Sequence, residues 1–338
     1  MAQVLLLFGG RSAEHEVSCV SSVAVLETLE GAGHQVIPVG IDREGQWFLA
    51  DSTKSPMEAA GRPVSLQLPA GTLRADDDEV GFDVVFPVLH GPFGEDGTIQ
   101  GVFEIAGIPY VGCGVLSSAL AMDKDNAKKV IEAAGIATTP WIVVRADGFT
   151  EPGTTVQRIV KAMRLPLFVK PAELGSSVGV SKAETEAELK DGIRAAFRFG
   201  DKVIVEEAIN GREIEVAVLE GPRVSVPGEI VIKTDWYDYD SKYNDESSEF
   251  VAPASLRESE VEMVRSLAAA AFTALECSGL ARVDFLYEEG GRGFLLNELN
   301  TMPGFTPISG FPKMWEASGM TYPELCNELV ELALGSAE

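Results

Sequence analysis

Residues 4–8 (VLLLF) form an unbroken apolar run of the kind that a parallel strand buried on both faces requires. The run breaks at Gly9-Gly10-Arg11-Ser12. Apolar residues then recur with helical spacing at Val17, Val20, Val23, Leu26 and Leu29, up to Gly31-Ala32-Gly33. A second strand over residues 35–41 completes a β-α-β unit. Residues 83–89 (DVVFPVL) predict another buried strand. The stretch between, residues 51–79, is polar and rich in Pro, Gly and Asp, and predicts a surface loop.

Farther along, a helix is expected to open at Asp123, its N-cap. Strands are expected at 141–145 and 167–170, with a Gly/Ser-rich loop over 171–180 leading to a short strand at 180–182. Thr185 and Glu188 then make a capping box for the next helix. Residues 202–207 (KVIVEE) predict a strand ending in carboxylates, Asn210-Gly211 a turn, and 213–219 its return, with short strands continuing to 232. Residues 234–253 have no sustained period and predict a long, lid-like loop centred on Lys242 and Tyr243. A helix over about 257–276 precedes a hairpin over 282–307 that turns at Gly290-Gly291, and Thr321 starts a C-terminal helix.

At 338 residues the chain is long for one core and suggests two or three domains, the first ending in a linker at Gly112-Cys113-Gly114. Hydrophobic and charged contents of 46% and 23% are ordinary for a soluble globular protein. A formal net charge of -25 argues against nucleic acid or an anionic membrane surface as partner. An anionic substrate therefore needs a locally positive pocket. Cys19, Cys113, Cys277 and Cys326 lack paired metal-ligand spacing and read as small buried residues in a reducing compartment. The N-terminal apolar run is too short for a signal peptide, and residues 267–275 are too few to span a bilayer. A cytoplasmic protein is expected.

The candidate chemistry gathers at loops. In the 282–307 hairpin, Arg282 and Asp284 share one face of a strand, and Glu298 and Asn300 share one face of its return. Two carboxylates and an amide oxygen suit Mg²⁺ completed by substrate phosphates, while an edge hairpin with a solvated polar face is the alternative. Glu14, where the first loop becomes helix, is either a ligand residue or an acid that favours the helix dipole. His90, at the end of a strand, is either functional or a satisfied core histidine. Small residues in 175–179 let backbone N–H groups approach an anion. There is no Gly-Lys dipeptide for a Walker loop and no dinucleotide glycine fingerprint.

Taken together, FGGRSAEHEVS, LHGPFGEDGT, MDKDNAK, KPAELGSSVGVS, YDYDSKY, ARVDF and NELNTMPGFT, in that order, resemble D-alanine–D-alanine ligases of the ATP-grasp superfamily. The resemblance runs from Phe8 to beyond Ser309. It implies an α/β protein with a three-domain ATP-grasp fold: an N-terminal parallel α/β substrate domain (1–112), a central subdomain (113–206) and a C-terminal one (207–338). It implies ATP with Mg²⁺ or Mn²⁺, D-alanine as substrate, a homodimer, and dipeptide formation for peptidoglycan.

Carried over by position, Lys124 and Lys170 resemble the lysines that grip the ATP phosphates, Ser176, Ser177 and Val178 the flap above them, and Lys242 the lid's reach to the γ-phosphate. Glu206, Glu207 and Ile209 resemble the hinge that receives adenine, and Glu213 the carboxylate on the ribose. Asp284, Glu298 and Asn300 match the metal ligands, and Arg282 with the Gly304 N–H the oxyanion donors. Glu14 resembles the acceptor for the first D-alanine's ammonium, His90 lines that subsite, and Ser309 resembles the group at the second carboxylate. Glu14, Ser176 and Tyr243 resemble a triad that clamps the lid. Glu207 departs from the lysine common at its position, and Glu173-Leu174 vary from the usual flap. A ligase with D-lactate or D-serine as acceptor, and a non-catalytic nucleotide-binding module, are the alternatives. Another ATP-grasp ligase lacks its matching site, and an oxidoreductase lacks the glycine fingerprint.

Overall fold

Successive side chains of the first apolar run feed two different cores. In β1 (Gln3–Gly9), Val4, Leu6 and Phe8 pack with Val25, Leu26 and Leu29 of α1 (His15–Gly31), while Leu5 and Leu7 enter the core on the opposite face. This is a computed structural model, and it describes residues 1–232 and 248–335. β1 lies between β2 (Gln35–Ile41) and β7 (Val84–Val88) and is parallel to both. Gly9 ends β1 at φ +86, where a Cβ would lie 2.3 Å from the Ile41 carbonyl oxygen, so only glycine turns the chain there.

The first sheet departs from the expected parallel domain. β3 (Trp47–Ala50), β4 (Gly61–Gln67), β5 (Thr72–Ala75) and β6 (Asp78–Val80) extend it antiparallel in the order β6-β5-β4-β3-β2-β1-β7. Nearly half of residues 51–79 is thus sheet edge and not surface loop. Only Met57, Val64, Leu73 and Ala75 in that stretch are buried, too few for an alternation to stand out against its Pro, Gly and Asp content. α2 (Thr98–Ala106) covers the face opposite α1.

α3 (Val115–Met122) and α4 (Lys124–Ala133) follow, and the Asp123 carboxylate caps α4 by accepting from Asn126 N. The second sheet, β10-β9-β11-β8, comprises β8 (Trp141–Arg145), β9 (Leu167–Pro171), β10 (Ser181–Ala183) and β11 (Lys202–Glu207), all antiparallel. α5 (Pro152–Ala162) and α6 (Glu186–Ala196) bury Val156, Ile159, Leu189 and Ile193 against it. At the start of α6, Thr185 accepts from Glu188 N, but the Glu188 carboxylate takes the N–H of Glu184, one residue before the position a capping box uses.

The third sheet runs β15-β14-β12-β16-β17. It is built from β12 (Arg212–Leu219), β14 (Gly228–Ile232), β15 (Ser248–Val251), β16 (Leu280–Glu288) and β17 (Gly293–Asn300), with β13 (Arg223–Val224) pairing on β12. α7 (Glu258–Ala274) lies on one face. α8 (Gly310–Ala317) and α9 (Tyr322–Gly335) return to the first sheet, where Phe311, Met314, Leu325 and Leu329 share a core with Val4, Leu6 and Phe86. Phe305 joins the two, its ring 5.7 Å from Phe86 and 5.9 Å from Phe311.

β16 alternates as expected, with Val283, Phe285 and Tyr287 in the α7 core and Arg282 and Asp284 on the other face. β17 does not keep that period. Phe294, Leu296 and Leu299 all enter the same core, and the register slips so that Asp284 pairs with Glu298 but Phe285 with Leu296. Asn297 is the extra residue of a β-bulge. It reverses the parity of the strand and turns Glu298 and Asn300 onto the face of Arg282 and Asp284.

Candidate active site

Across β12, β16 and β17 the ladder aligns Glu215, Asp284 and Glu298 in one row and Ala217, Arg282 and Asn300 in the next. Directly opposed side chains stand about 4.5–5.5 Å apart at Cβ, so three carboxylates, a guanidinium and an amide share one patch. Arg282 donates Nε and Nη2 to Asp284 at 2.7 Å each and lies 3.4 Å from Glu215. Burial works against its charge, but the two carboxylates outweigh that and hold its pKa well above the ordinary value. Asn300 Nδ2 donates to Asp284 Oδ2 at 2.8 Å. Lys124, at the start of α4, reaches Glu298 at 3.5 Å and donates to the Leu174 carbonyl at 2.6 Å.

Hard oxygen donors are present at the expected ligands. Among the described residues, however, no group of three or more His, Cys, Asp or Glu side chains is placed to cage a metal by itself. The donor set fits a divalent ion that takes one or two carboxylates and completes its shell with phosphate oxygens.

Lys170, on β9, lies 2.5 Å from Glu206 Oε2 and donates to Asn297 Oδ1 at 3.3 Å. Lys128, one helical turn beyond Lys124, lies 2.7 Å from the other oxygen of Glu206. Burial opposes a charge on Glu206, yet the two lysines outweigh it and hold its carboxyl down at about 2. Glu213 begins β12 within electrostatic reach of Lys170, and Ile209 sits in the turn after β11. Glu207, which stands where a lysine is common in the family it resembles, is half-buried and pairs with Arg292 of the β16–β17 turn at 3.0 Å.

The 175–179 loop joins β9 to β10, two neighbours in one sheet, and so forms a flap. Ser176 and Ser177 have φ of +49 and +58, consecutive left-handed residues of the kind that point successive N–H groups into one concavity. Ser176 Oγ donates to Glu14 Oε1. Glu14 is buried at the N-cap of α1 without capping it by its side chain, and the backbone of Gly91 passes so near that a Cβ there would stand 2.5 Å from Glu14 Oε2. His90 Nδ1 hydrogen-bonds the Met302 carbonyl at 3.2 Å, and its buried Nε2 has no protein partner. Burial pulls the His90 pKa down, against the nearby Glu14 charge. Gly304 and Ser309 adjoin each other, and Ser309 Oγ bonds the N–H and hydroxyl of Thr306 at 3.1 and 2.7 Å. Lys242 and Tyr243 of the expected lid fall outside the described residues. Within the flap, Val178 N donates to the Gly175 carbonyl at 3.1 Å.

Lys128, Glu215, Asn297 and Glu95 belong to the site but were not singled out from the sequence. Lys128 and Glu215 carried a faint signal, at helical and strand spacing from Lys124 and Glu213. Asn297 carried none, because a bulge is not written in the alternation. Glu95, in the loop after β7, accepts from Gly91 N at 2.7 Å, and burial followed by the Glu14 charge pushes its pKa well above the ordinary value.

Known proteins share this arrangement along nearly the whole chain. Residues 3–113 match the D-ala D-ala ligase N-terminus family and residues 130–331 the D-ala D-ala ligase C-terminus family. A D-alanine–D-alanine ligase of Geobacillus kaustophilus is 45% identical, over 98% of this chain and 94% of its own. The solved D-alanine-D-alanine ligase of Coxiella burnetii superposes with a TM-score of 0.88 at 36% identity, over 99% of this chain and 94% of that one. The VanG D-Ala:D-Ser ligase of Enterococcus faecalis gives 0.86 at 36% identity, over 98% and 99%. With both family halves matched in order and the three-sheet fold shared end to end, the chain belongs to the D-alanine–D-alanine ligase family.

Proposed function

We propose that this chain joins two D-alanines to D-alanyl-D-alanine with hydrolysis of ATP to ADP and phosphate, for peptidoglycan synthesis. The observation that carries the reading is the facing of two sets of groups: the carboxylate row of β12, β16 and β17, and the lysines of α4 and β9. An acidic chain has here collected Lys124, Lys170 and Arg282 where a triphosphate needs them.

A carboxylate is a poor electrophile, so it is activated first. The first D-alanine's carboxylate oxygen attacks the γ-phosphorus, the bond to the β-phosphate bridging oxygen breaks, and ADP leaves. Such a transfer needs positioning and charge neutralisation more than covalent help. Lys124 and Lys170 grip the phosphates, the Ser176–Ser177–Val178 flap covers them, and Lys242 of the lid meets the γ-phosphate. Asp284, Glu298 and Asn300 hold a divalent cation, Mg²⁺ or Mn²⁺, which neutralises phosphate charge when bound. Adenine sits at Glu206, Glu207 and Ile209, and the ribose at Glu213.

Glu14 receives the first D-alanine's ammonium, and the buried Nε2 of His90 lines the same subsite. The second D-alanine, its carboxylate at Ser309, then attacks the acyl carbon through its amine and expels phosphate. Arg282 and the Gly304 N–H receive the negative charge that develops on the acyl oxygen. Tyr243 joins Glu14 and Ser176 to close the site, keeping water from the acyl phosphate. The proposed domains are 1–112, 113–206 and 207–338, built around the first, second and third sheets in turn.

D-Serine as the acceptor is the second reading, supported by the near-equal likeness to the D-Ala:D-Ser ligase. One incubation separates them. With ATP, Mg²⁺, D-alanine and D-serine, the dipeptide should be D-alanyl-D-alanine, with ADP and phosphate in equal amounts. Nucleotide binding without ADP release would sink both readings and leave a binding module. A homodimer in the cytoplasm completes the proposal, checked by light scattering and by cell fractionation. Among the described residues, no helix is long and apolar enough to cross a membrane.

A further inference from the structure

Lys128 is among the most deeply buried side chains of the molecule, at 1% exposure, and the mechanism above gives it no part. Its ammonium has three donors and three protein acceptors: Glu206 Oε1 at 2.7 Å, the Thr139 carbonyl at 3.1 Å and the Thr139 hydroxyl. The Trp141 ring lies beneath it, 5.6 Å away. Its position is therefore fixed on every side. Thr139 Oγ1 also donates to Glu206 Oε1 at 3.2 Å, so the same pair of residues holds the carboxylate.

Lys170 holds the other oxygen of Glu206, but its situation differs. Its side chain is 17% exposed against 1% for Lys128, and its second partner is the bulge residue Asn297 beside the carboxylate row. One carboxylate thus faces two ammonium groups, one immobile and one at the mouth of the site. A phosphate group at the site would find Lys170 accessible and Lys128 closed off. Without a fixed counter-charge, Lys170 leaving Glu206 would strand a buried carboxylate, which is strongly unfavourable.

We propose that Lys128 is a positioning residue for nucleotide binding: it keeps Glu206 ionised and in place, so that Lys170 is released to the phosphates while Glu206 remains the acceptor for the adenine amino group. The inference rests on the reading of Glu206 as part of the adenine hinge. Lys128 itself touches no substrate. Its removal leaves Lys170 bound to Glu206 or lets Glu206 take up a proton, and either outcome degrades the nucleotide site without touching the D-alanine subsites.

The test is the Lys128→Met variant, a substitution of similar length that removes only the charged end. Affinity for a non-hydrolysable ATP analogue and for purine riboside triphosphate, which lacks the 6-amino group, is measured directly by calorimetry with Mg²⁺ present, and KM and kcat are measured for ligation. At least a tenfold loss of analogue affinity is expected, with KM for D-alanine within twofold. The wild-type preference for the amino-bearing nucleotide should fall at least fivefold. The double variant Lys128→Met/Glu206→Gln, which removes the buried carboxylate together with its fixed counter-charge, should recover thermal stability but not the nucleotide preference. Unchanged analogue affinity in a folded Lys128→Met protein, or equal losses for both nucleotides, overturns the proposal. If instead the wild type binds nucleotide yet makes no dipeptide, the ligase reading fails while the binding comparison still decides the role of Lys128.

Discussion

Ser176 donates its hydroxyl to Glu14 across 162 positions of sequence, which ties the flap of the second sheet to the first helix of the chain. Glu14 therefore sits where the flap, the β7 loop through Gly91, and the start of α1 converge. A carboxylate in that place is held from one side by a hydroxyl and is set to receive a cation from another.

Glu14→Gln keeps the shape and removes the charge. A hydrogen bond to a charged group contributes about 1.5–3 kcal/mol, so KM for the first D-alanine should rise by roughly ten- to a hundredfold. Affinity for ATP should stay nearly constant. Initial-rate kinetics with each substrate varied in turn check this, and an equal rise in both KM values would argue that the residue only supports the fold.

On the proposed mechanism Arg282→Ala removes an oxyanion donor, a loss that typically costs about 3–4 kcal/mol of transition-state stabilisation. The expected result is a fall in kcat of about two to three orders of magnitude. Retention of more than a tenth of wild-type turnover would be inconsistent with the role. Because the guanidinium also neutralises Asp284 and Glu215, a shift of the metal dependence to lower concentration should accompany the loss.

Removing divalent cations with a chelator should stop ADP release, and Mg²⁺ or Mn²⁺ should restore it. Asp284→Asn should weaken that restoration severalfold more than Glu215→Gln, since Asp284 lies directly opposite Glu298 and beside Asn300, whereas Glu215 is one strand away. Metal titrations of activity distinguish the two. Equal effects would place the ion elsewhere on the row.

Two buried groups set how stability responds to acid. The Glu206 carboxyl is lowered from 4.5 to about 2, so its ion pairs stabilise the fold fully above pH 4.5, and that contribution disappears as pH falls toward 2. His90 is lowered from 6.5 by burial, so the unfolded chain gains protons first and stability begins to fall once pH drops below about 6.5. Denaturant midpoints followed from pH 8 to pH 3 should show two declines. Glu206→Gln should reduce the lower one, which other paired carboxylates share, and His90→Asn the upper one.

Phe305→Ala should cost about 3–5 kcal/mol of stability. The ring is 1% exposed and packs between Phe86 of the first sheet and Phe311 of α8. Equilibrium unfolding in urea measures the loss, and a change below 1 kcal/mol would mean that the two layers close around the gap.

The strands that carry the site were legible because their burial is regular. β1 from Val4 on and β7 are apolar and β16 alternates, so the sequence itself puts Glu14 and His90 just past strand ends and Arg282 and Asp284 on one face. The antiparallel extension of the first sheet was not legible, since β4, β5 and β6 bury few side chains and lie among turn residues. Lys128 escaped notice for a different reason. An ammonium group on a helix reads as solvated, and only the tertiary packing of Thr139, Trp141 and Glu206 around it makes it an interior group.

Register is itself a chemical variable in β17. With the bulge flattened, Asn297 taken into the ladder and the pairing at Phe294 and Leu296 retained, Leu299 would turn outward, and Glu298 and Asn300 would point into the hydrophobic layer beneath α7. Every side chain of the NELN segment would be unchanged, yet the acidic row would be dismantled. The same four residues present that row only while one of them stays out of the ladder.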